Sequence, residues 1–112
     1  MKSHSRELLK GTADTLVLSI LAQGEMYGYQ AVRELNRRSE GFFRFHEGTL
    51  YPILHRLENQ GLLQGRWQRM PNGMERRYYS LTQHGVQVLA QRLTEWTGFA
   101  RAVDLITSGA GA

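Results

Sequence analysis

The sequence contains no cysteine. No disulfide frame can hold the chain together, no thiol can act as nucleophile or soft metal ligand, and a reducing cytoplasm suits it. No run of about 18 apolar residues is present, the length a membrane-spanning helix needs, so no membrane partner is expected. The opening MKSHSRELLK offers no apolar stretch of the kind a secretory signal carries. His4, His46, His55 and His84 do not fall at metal-ligand spacing, and the HEG at His46 is not followed by the second histidine of a metalloprotease helix. Paired-carboxylate motifs and glycine-rich phosphate loops are missing as well. The expectation is a chain without catalysis, metal or cofactor.

With 112 residues, 41% of them hydrophobic, the chain can build one modest core. Its 14 basic side chains exceed its 10 acidic ones, and the excess is focused. Between Leu62 and Leu81, four arginines (Arg66, Arg69, Arg76, Arg77) stand against Glu75 alone. A basic focus of this kind suits a polyanion, although an ordinary solvated hairpin carries similar charge.

Apolar residues at 8, 9, 13, 16, 17, 20 and 21 recur at helical spacing over Leu8 to Gln23, and Gly24 stops the pattern. A second helix fits Tyr29 to Arg38, with Tyr29, Val32 and Leu35 inward and Arg33, Arg37 and Arg38 outward. Alternation in Phe42 to Phe45 suggests a short strand. HEGTLYPILHRLENQGLL then reads as a third helix, from about Glu47 to a Gly61 cap. Projected at about 100° per residue, Leu50, Ile53, Leu54 and Leu57 cluster on one side. Gly48, Pro52, His55 and Asn59 lie opposite, flanked by Thr49, Tyr51 and Arg56. This outer face has little charge but offers hydroxyls, an imidazole, an amide, a guanidinium and an apolar ring, all able to touch base edges. A helix starting near Glu47 would put Pro52 at the end of its first turn, where the missing N–H costs little.

Two strand-like runs flank Pro71-Asn72-Gly73, a strong turn signal, so LLQGRWQRMPNGMERRYYSL reads as an arginine-studded hairpin with Tyr79 and Leu81 inward. Thr82 is a candidate N-cap for a last helix ending near Ile106. There Val86, Leu89, Leu93, Trp96, Ala100 and Val103 approach a heptad seam, and Val88, Phe99, Leu105 and Ile106 add a second stripe. One small domain cannot bury so much apolar surface, and self-association resolves the excess. The remaining TSGAGA reads as a frayed tail.

Three helices followed by a basic hairpin is the order of a winged helix-turn-helix: an α+β fold, mainly α, with residues 1–81 as the winged-helix domain, 82–107 as a C-terminal dimerisation helix and 108–112 as a disordered tail. LKGTADTLVLSIL, GEMYGYQAV, EGTLYPILHRLENQGLL and ERRYYSLTQHG, in this order over about Leu9 to Gly85, resemble the successive signatures of the PadR family of bacterial transcriptional regulators. The single terminal helix is similar to the smaller PadR subgroup. Tyr27 stands where a histidine is frequent in the family, and Gln23 where other residues are common.

The resemblance implies a homodimeric repressor on an inverted-repeat DNA operator, with the terminal helix swapped across the dimer. It makes Thr49, Tyr51, Pro52, His55 and Arg56 candidate contacts from the recognition helix, and Arg66, Arg69, Asn72, Arg76 and Arg77 candidate contacts from the wing. It also implies a small aromatic or hydrophobic effector at the dimer interface, with Trp96 as wall and Ala13, Leu16, Leu89, Leu93, Phe99 and Val103 around it. Three alternatives stay open at this point: Tyr51 packing over the hairpin, Arg66 and Arg69 pairing with Glu75, and a winged-helix adaptor that binds protein and no DNA.

Overall fold

A computed structural model describes residues 2–109, with side chains from Gly11 onward. The expectations for the side chains of Leu8 and Leu9, and for the tail from 110 on, lie outside the described residues. The elements run α1 (Lys2–Leu21), β1 (Met26–Tyr27), α2 (Gly28–Arg38), α3 (Glu47–Asn59), β2 (Leu63–Arg69), β3 (Glu75–Leu81) and α4 (Gln83–Thr107). The fold is a winged helix: mainly helical, with one small antiparallel sheet ordered β1-β3-β2.

The core forms where three helices and the sheet turn their apolar sides together. Val17, Leu18, Ile20 and Leu21 of α1 meet Ala31, Val32 and Leu35 of α2 and Leu50, Ile53, Leu54 and Leu57 of α3, all buried. Tyr79 from β3 and Leu89 from α4 close it. The 3-4 spacing of each helix makes this possible, because residues so spaced share one face.

Three local expectations are corrected. Tyr29 is half exposed rather than inward, and Ala31 fills the buried position beside Val32. Phe42 to Phe45 form no strand. Their backbone is satisfied by side chains instead: Phe45 N–H donates to Asn36 Oδ1 (2.7 Å), Asn36 Nδ2 donates to the Phe45 carbonyl (3.0 Å), and Phe43 N–H donates to Ser39 Oγ (3.1 Å). With those groups satisfied locally, the segment has no need of a sheet edge. The strand that does join the sheet, Met26–Tyr27, pairs with Tyr79 and Tyr78 and is too short to leave a periodic trace.

Pro52 is the third correction. His46 is the N-cap of α3, which makes Pro52 the sixth helical residue, deeper than the first turn. Lacking an N–H, it leaves the Gly48 carbonyl without its i+4 donor. Gly48 and Pro52 are both exposed, so water can satisfy that carbonyl. The proline is tolerated because it stands on the outer face.

The wing is a tight hairpin. Gly73 N–H donates to the Met70 carbonyl (2.9 Å) and Met70 N–H to the Met74 carbonyl (2.7 Å). Gly73 sits at φ 87°, the left-handed conformation that this turn requires. Asn72 Oδ1 accepts from Met74 N–H (3.0 Å), which fixes the tip.

Thr82 caps α4 as expected: its Oγ1 accepts from Gly85 N–H (3.0 Å) while its hydroxyl donates to the Gly61 carbonyl (2.6 Å). The same threonine therefore ties the start of α4 to the end of α3. Gly85 is buried here, and a Cβ on it would lie 2.1 Å from the Leu62 carbonyl oxygen. Alanine gains about 1 kcal/mol of helix propensity over glycine, but a backbone clash of this kind costs typically about 1–3 kcal/mol or more. Gly85→Ala is expected to lower the thermal midpoint by several degrees. An unchanged or raised midpoint would contradict the packing described.

Candidate nucleic-acid interface

The buried stripe of α3 dictates what its other side presents. With Leu50, Ile53, Leu54 and Leu57 locked inward, Thr49, Tyr51, Pro52, His55 and Asn59 are exposed. Tyr51 has a specific seat: its ring lies against the bare backbone of Gly28, where a Cβ would come within 2.6 Å of its Cζ and Oη. Burial, and then the Glu47 carboxylate, push the Tyr51 phenol up from its ordinary value, so it is a neutral O–H donor at physiological pH. The His55 ring is next to it, with centroids 6.4 Å apart. The Tyr51 ring therefore leans on the start of α2, with more than a third of its surface still open at 37% exposure.

Arg56 is engaged elsewhere. It forms an ion pair with Asp14 of α1, and because Asp14 is otherwise buried the pair fastens α3 to α1. Removing the arginine would strand a buried carboxylate.

The wing divides its arginines by strand register. Trp67 opposes Arg77 and Arg69 opposes Glu75 on the face toward α3, while Arg66 opposes Tyr78 and Gln68 opposes Arg76 on the other. On that outer face Arg66 grips Glu25 through two hydrogen bonds of 2.7 and 2.6 Å and lies over the Tyr78 ring at 5.0 Å. The Arg66 hydrogen bonds hold the Glu25 carboxyl below its ordinary range. Arg76 lies over Tyr27 at 4.3 Å.

On the inner face the Arg77 guanidinium crosses Gly65, where a Cβ would come within 2.7 Å of it. It lies near the Trp67 ring (5.2 Å) and the Tyr79 ring (5.7 Å), and donates to Glu58 of α3 at 2.6 Å. The Glu58 hydrogen bond raises the Arg77 pKa. Glu58–Arg77 thus links α3 and the wing directly.

The alternative left open for Arg66 and Arg69, pairing with Glu75, is not realised: Arg66 pairs with Glu25, and Arg69 makes no ion pair among the described residues. Two of the four wing arginines, Arg69 and Arg76, therefore have no carboxylate partner among the described residues, and Arg76 rests on the Tyr27 ring. Asn72 is at the exposed tip, with its carbonyl oxygen held by the turn. A cleft of about 410 Å³ separates α3 from the wing, walled by Tyr51 and His55 on one side and by Trp67, Arg76 and Arg77 on the other. Sequence reasoning missed Trp67, Glu58, Glu25 and Asp14. Arg66–Glu25 and Arg56–Asp14 span 41 and 42 residues, beyond any local pattern, whereas Trp67 could have been found from its alternation with Arg69.

A second concavity, about 510 Å³, runs between α1 and α4 and is lined by Asp14, Leu16, Phe43, Arg92, Leu93, Trp96 and Phe99 among others. Trp96 and Phe99 stack at 5.7 Å. Of the residues expected around Trp96, Leu16, Leu93 and Phe99 line this groove. Leu89 is buried in the core, Ala13 packs against the core, and Val103 is exposed further along α4. Arg92 Nη1 is buried without a hydrogen-bond partner among the described residues. Beyond Leu89, α4 carries Leu93, Trp96, Phe99, Val103, Leu105 and Ile106 exposed.

The sequence pattern of the PadR-like transcriptional regulators matches residues 17–91. The chain belongs to this family. PadR-like proteins are transcriptional regulators, not enzymes. A transcriptional regulator of Mycobacterium tuberculosis is 36% identical over 98 residues, covering 88% of each chain. The crystal structure of a PadR family regulator from Eggerthella lenta shares 34% identity and a TM-score of 0.79, covering 95% of this chain and 90% of that one. Bacillus subtilis PadR, solved in complex with operator DNA, is 26% identical with a TM-score of 0.69, over 73% of this chain and 46% of that one.

Proposed function

We propose that this PadR-like protein is a homodimeric repressor that binds an inverted-repeat operator, reading bases with α3 and anchoring on backbone phosphates with the wing. The observation that carries the reading is the pairing of surfaces. An exposed, nearly uncharged helix face bearing Thr49, Tyr51, Pro52 and His55 stands next to a hairpin whose Arg69 and Arg76 have no carboxylate partner among the described residues. A helix of this kind fits the major groove, where donors and acceptors distinguish every base pair. Arginines on an adjacent arm suit the flanking backbone, which positions without specifying. The operator complex of Bacillus subtilis PadR supports the same use of the fold here.

Dimerisation is supported by the six apolar side chains that α4 exposes beyond Leu89. A stripe of this size left in water disfavours the monomer, and burying each side chain against a second copy contributes about 1.5–3 kcal/mol before association costs. A regulator of this type acts on the genome, and the cytoplasm is the compartment where it meets one.

The groove beside Trp96 is proposed as the seat of a small aromatic or hydrophobic effector. Its stacked rings supply an apolar wall and Arg92 an unsatisfied donor. Asp14 lines the same groove and holds Arg56 of the recognition helix, so occupancy there has a physical route to the DNA-facing surface. Only a ligand that prefers one dimer geometry can shift the balance.

Duplexes from upstream of the protein's own gene are expected to bind with nanomolar affinity and to lose it steeply as salt rises. Arg69→Ala removes one phosphate contact per protomer, so the log–log salt slope should flatten by about two. Equal binding at low and high salt would refute the phosphate role. For the effector, planar aromatic compounds should quench Trp96 fluorescence and weaken operator binding together; compounds that quench without altering operator affinity would leave Trp96 a packing residue.

A further inference from the structure

Trp67 is the largest side chain on the wing and is 62% exposed. None of the described hydrogen bonds uses its indole N–H. Single exposed apolar residues are common and call for no explanation by themselves. This one differs in being held in place on the surface that faces α3.

Arg77 stacks against its ring at 5.2 Å, and Arg77 is in turn fixed by Glu58 of α3 at 2.6 Å. Gly65, two residues before Trp67 on the same strand face, leaves the space that Arg77 occupies. The indole is therefore oriented from below by a chain of contacts that starts on the recognition helix. It projects into the cleft whose opposite wall carries Tyr51 and His55.

The charges around this cleft decide what it can hold. Arg76 and Arg77 line it together with Glu58 and Glu75, two cations against two anions, and Arg77 is already neutralised. A phosphate gains little from such a wall. A deoxyribose does better, because its carbons can lie on an indole or phenol face while the indole N–H reaches an ester or phosphate oxygen at the rim.

With α3 in a major groove and the wing over the neighbouring backbone, the strand between them would run along the mouth of this cleft. Resting on the DNA-binding reading above, we propose that Trp67 is a DNA-contacting residue whose ring packs on the deoxyribose backbone between recognition helix and wing. It supplies affinity that does not depend on counterion release. Trp67 and Arg69, two positions apart on one strand face, thus contribute by different physics. The arginine acts through charge and is screened by salt, whereas the tryptophan acts through contact and is not.

The test uses the intact protein and a labelled duplex of mixed sequence across a salt series that starts low, where backbone contacts dominate binding. Trp67→Ala is expected to weaken binding by about tenfold at every salt concentration, leaving the log–log slope unchanged, whereas Arg69→Ala flattens that slope. Trp67→Phe, which keeps an aromatic face, should recover most of the loss. A second readout is insensitive to hairpin stability: in a Trp96→Phe background, saturating duplex should shield Trp67 fluorescence from acrylamide.

Wild-type affinity in Trp67→Ala would overturn the proposal, as would an indole that stays open to acrylamide in the saturated complex. So would a slope that flattens as it does for Arg69→Ala, because the residue would then act through charge placement. If the wild-type protein binds no duplex at any salt concentration, the DNA-binding reading fails first and this inference falls with it.

Discussion

Leu50, Leu54 and Leu57 have no exposed surface, and Ile53 has almost none. Burying these four side chains contributes about 1.5–3 kcal/mol each, far more than the roughly 0–1 kcal/mol of an exposed ion pair. The burial fixes the rotation of α3 about its own axis. A turn of about 100°, one residue's worth, would expose leucines and bury Tyr51 or His55, so the chemistry offered outward follows from the apolar stripe inward. The ion pairs act on attachment and not on rotation: the partly buried Arg56–Asp14 ties α3 to α1, and Glu58–Arg77 ties it to the wing. Core burial sets the rotation and the ion pairs tune the attachment.

The same division of roles explains why the wing is less positive than its composition suggests. Two of its four arginines act as struts, one holding Glu25 beside β1 and one holding Glu58 on α3. A hairpin of seven-residue strands has little core of its own and needs such ties to stay oriented. The remaining cations, Arg69 and Arg76, and the oriented Trp67 form the surface that can meet a partner. Charge count along a sequence overstates the electrostatic footprint wherever arginines also hold the structure together.

Much of this is legible in the residues. Helical spacing locates α3 to within a residue or two, the Pro-Asn-Gly turn locates the wing, and Thr82 announces α4. The winged-helix order follows from these, and the quoted motifs point to the family without any knowledge of the fold. Tyr29 misleads because an aromatic at helical spacing suggests core, although Ala31 takes the buried position on α2. The Phe42–Phe45 segment misleads because alternation says nothing about whether a pairing edge exists, and Asn36 and Ser39 satisfy that backbone first. Pro52 lies deeper in α3 than the sequence suggests, yet its exposure makes the difference harmless. Partners more than forty residues apart, Glu25 for Arg66 and Asp14 for Arg56, leave no local signal at all.

Beyond the single chain lies the geometry between two copies. α3 and the wing form one surface per chain, and a dimer would present that surface twice, with α4 setting the distance. Hydroxyl-radical footprinting of the DNA upstream of the gene measures this most directly. Two protected patches on one face of the duplex, related by a dyad and centred about 34–36 Å apart, are expected of a symmetric pair of these surfaces. A single patch, or uniform protection without that spacing, would contradict it.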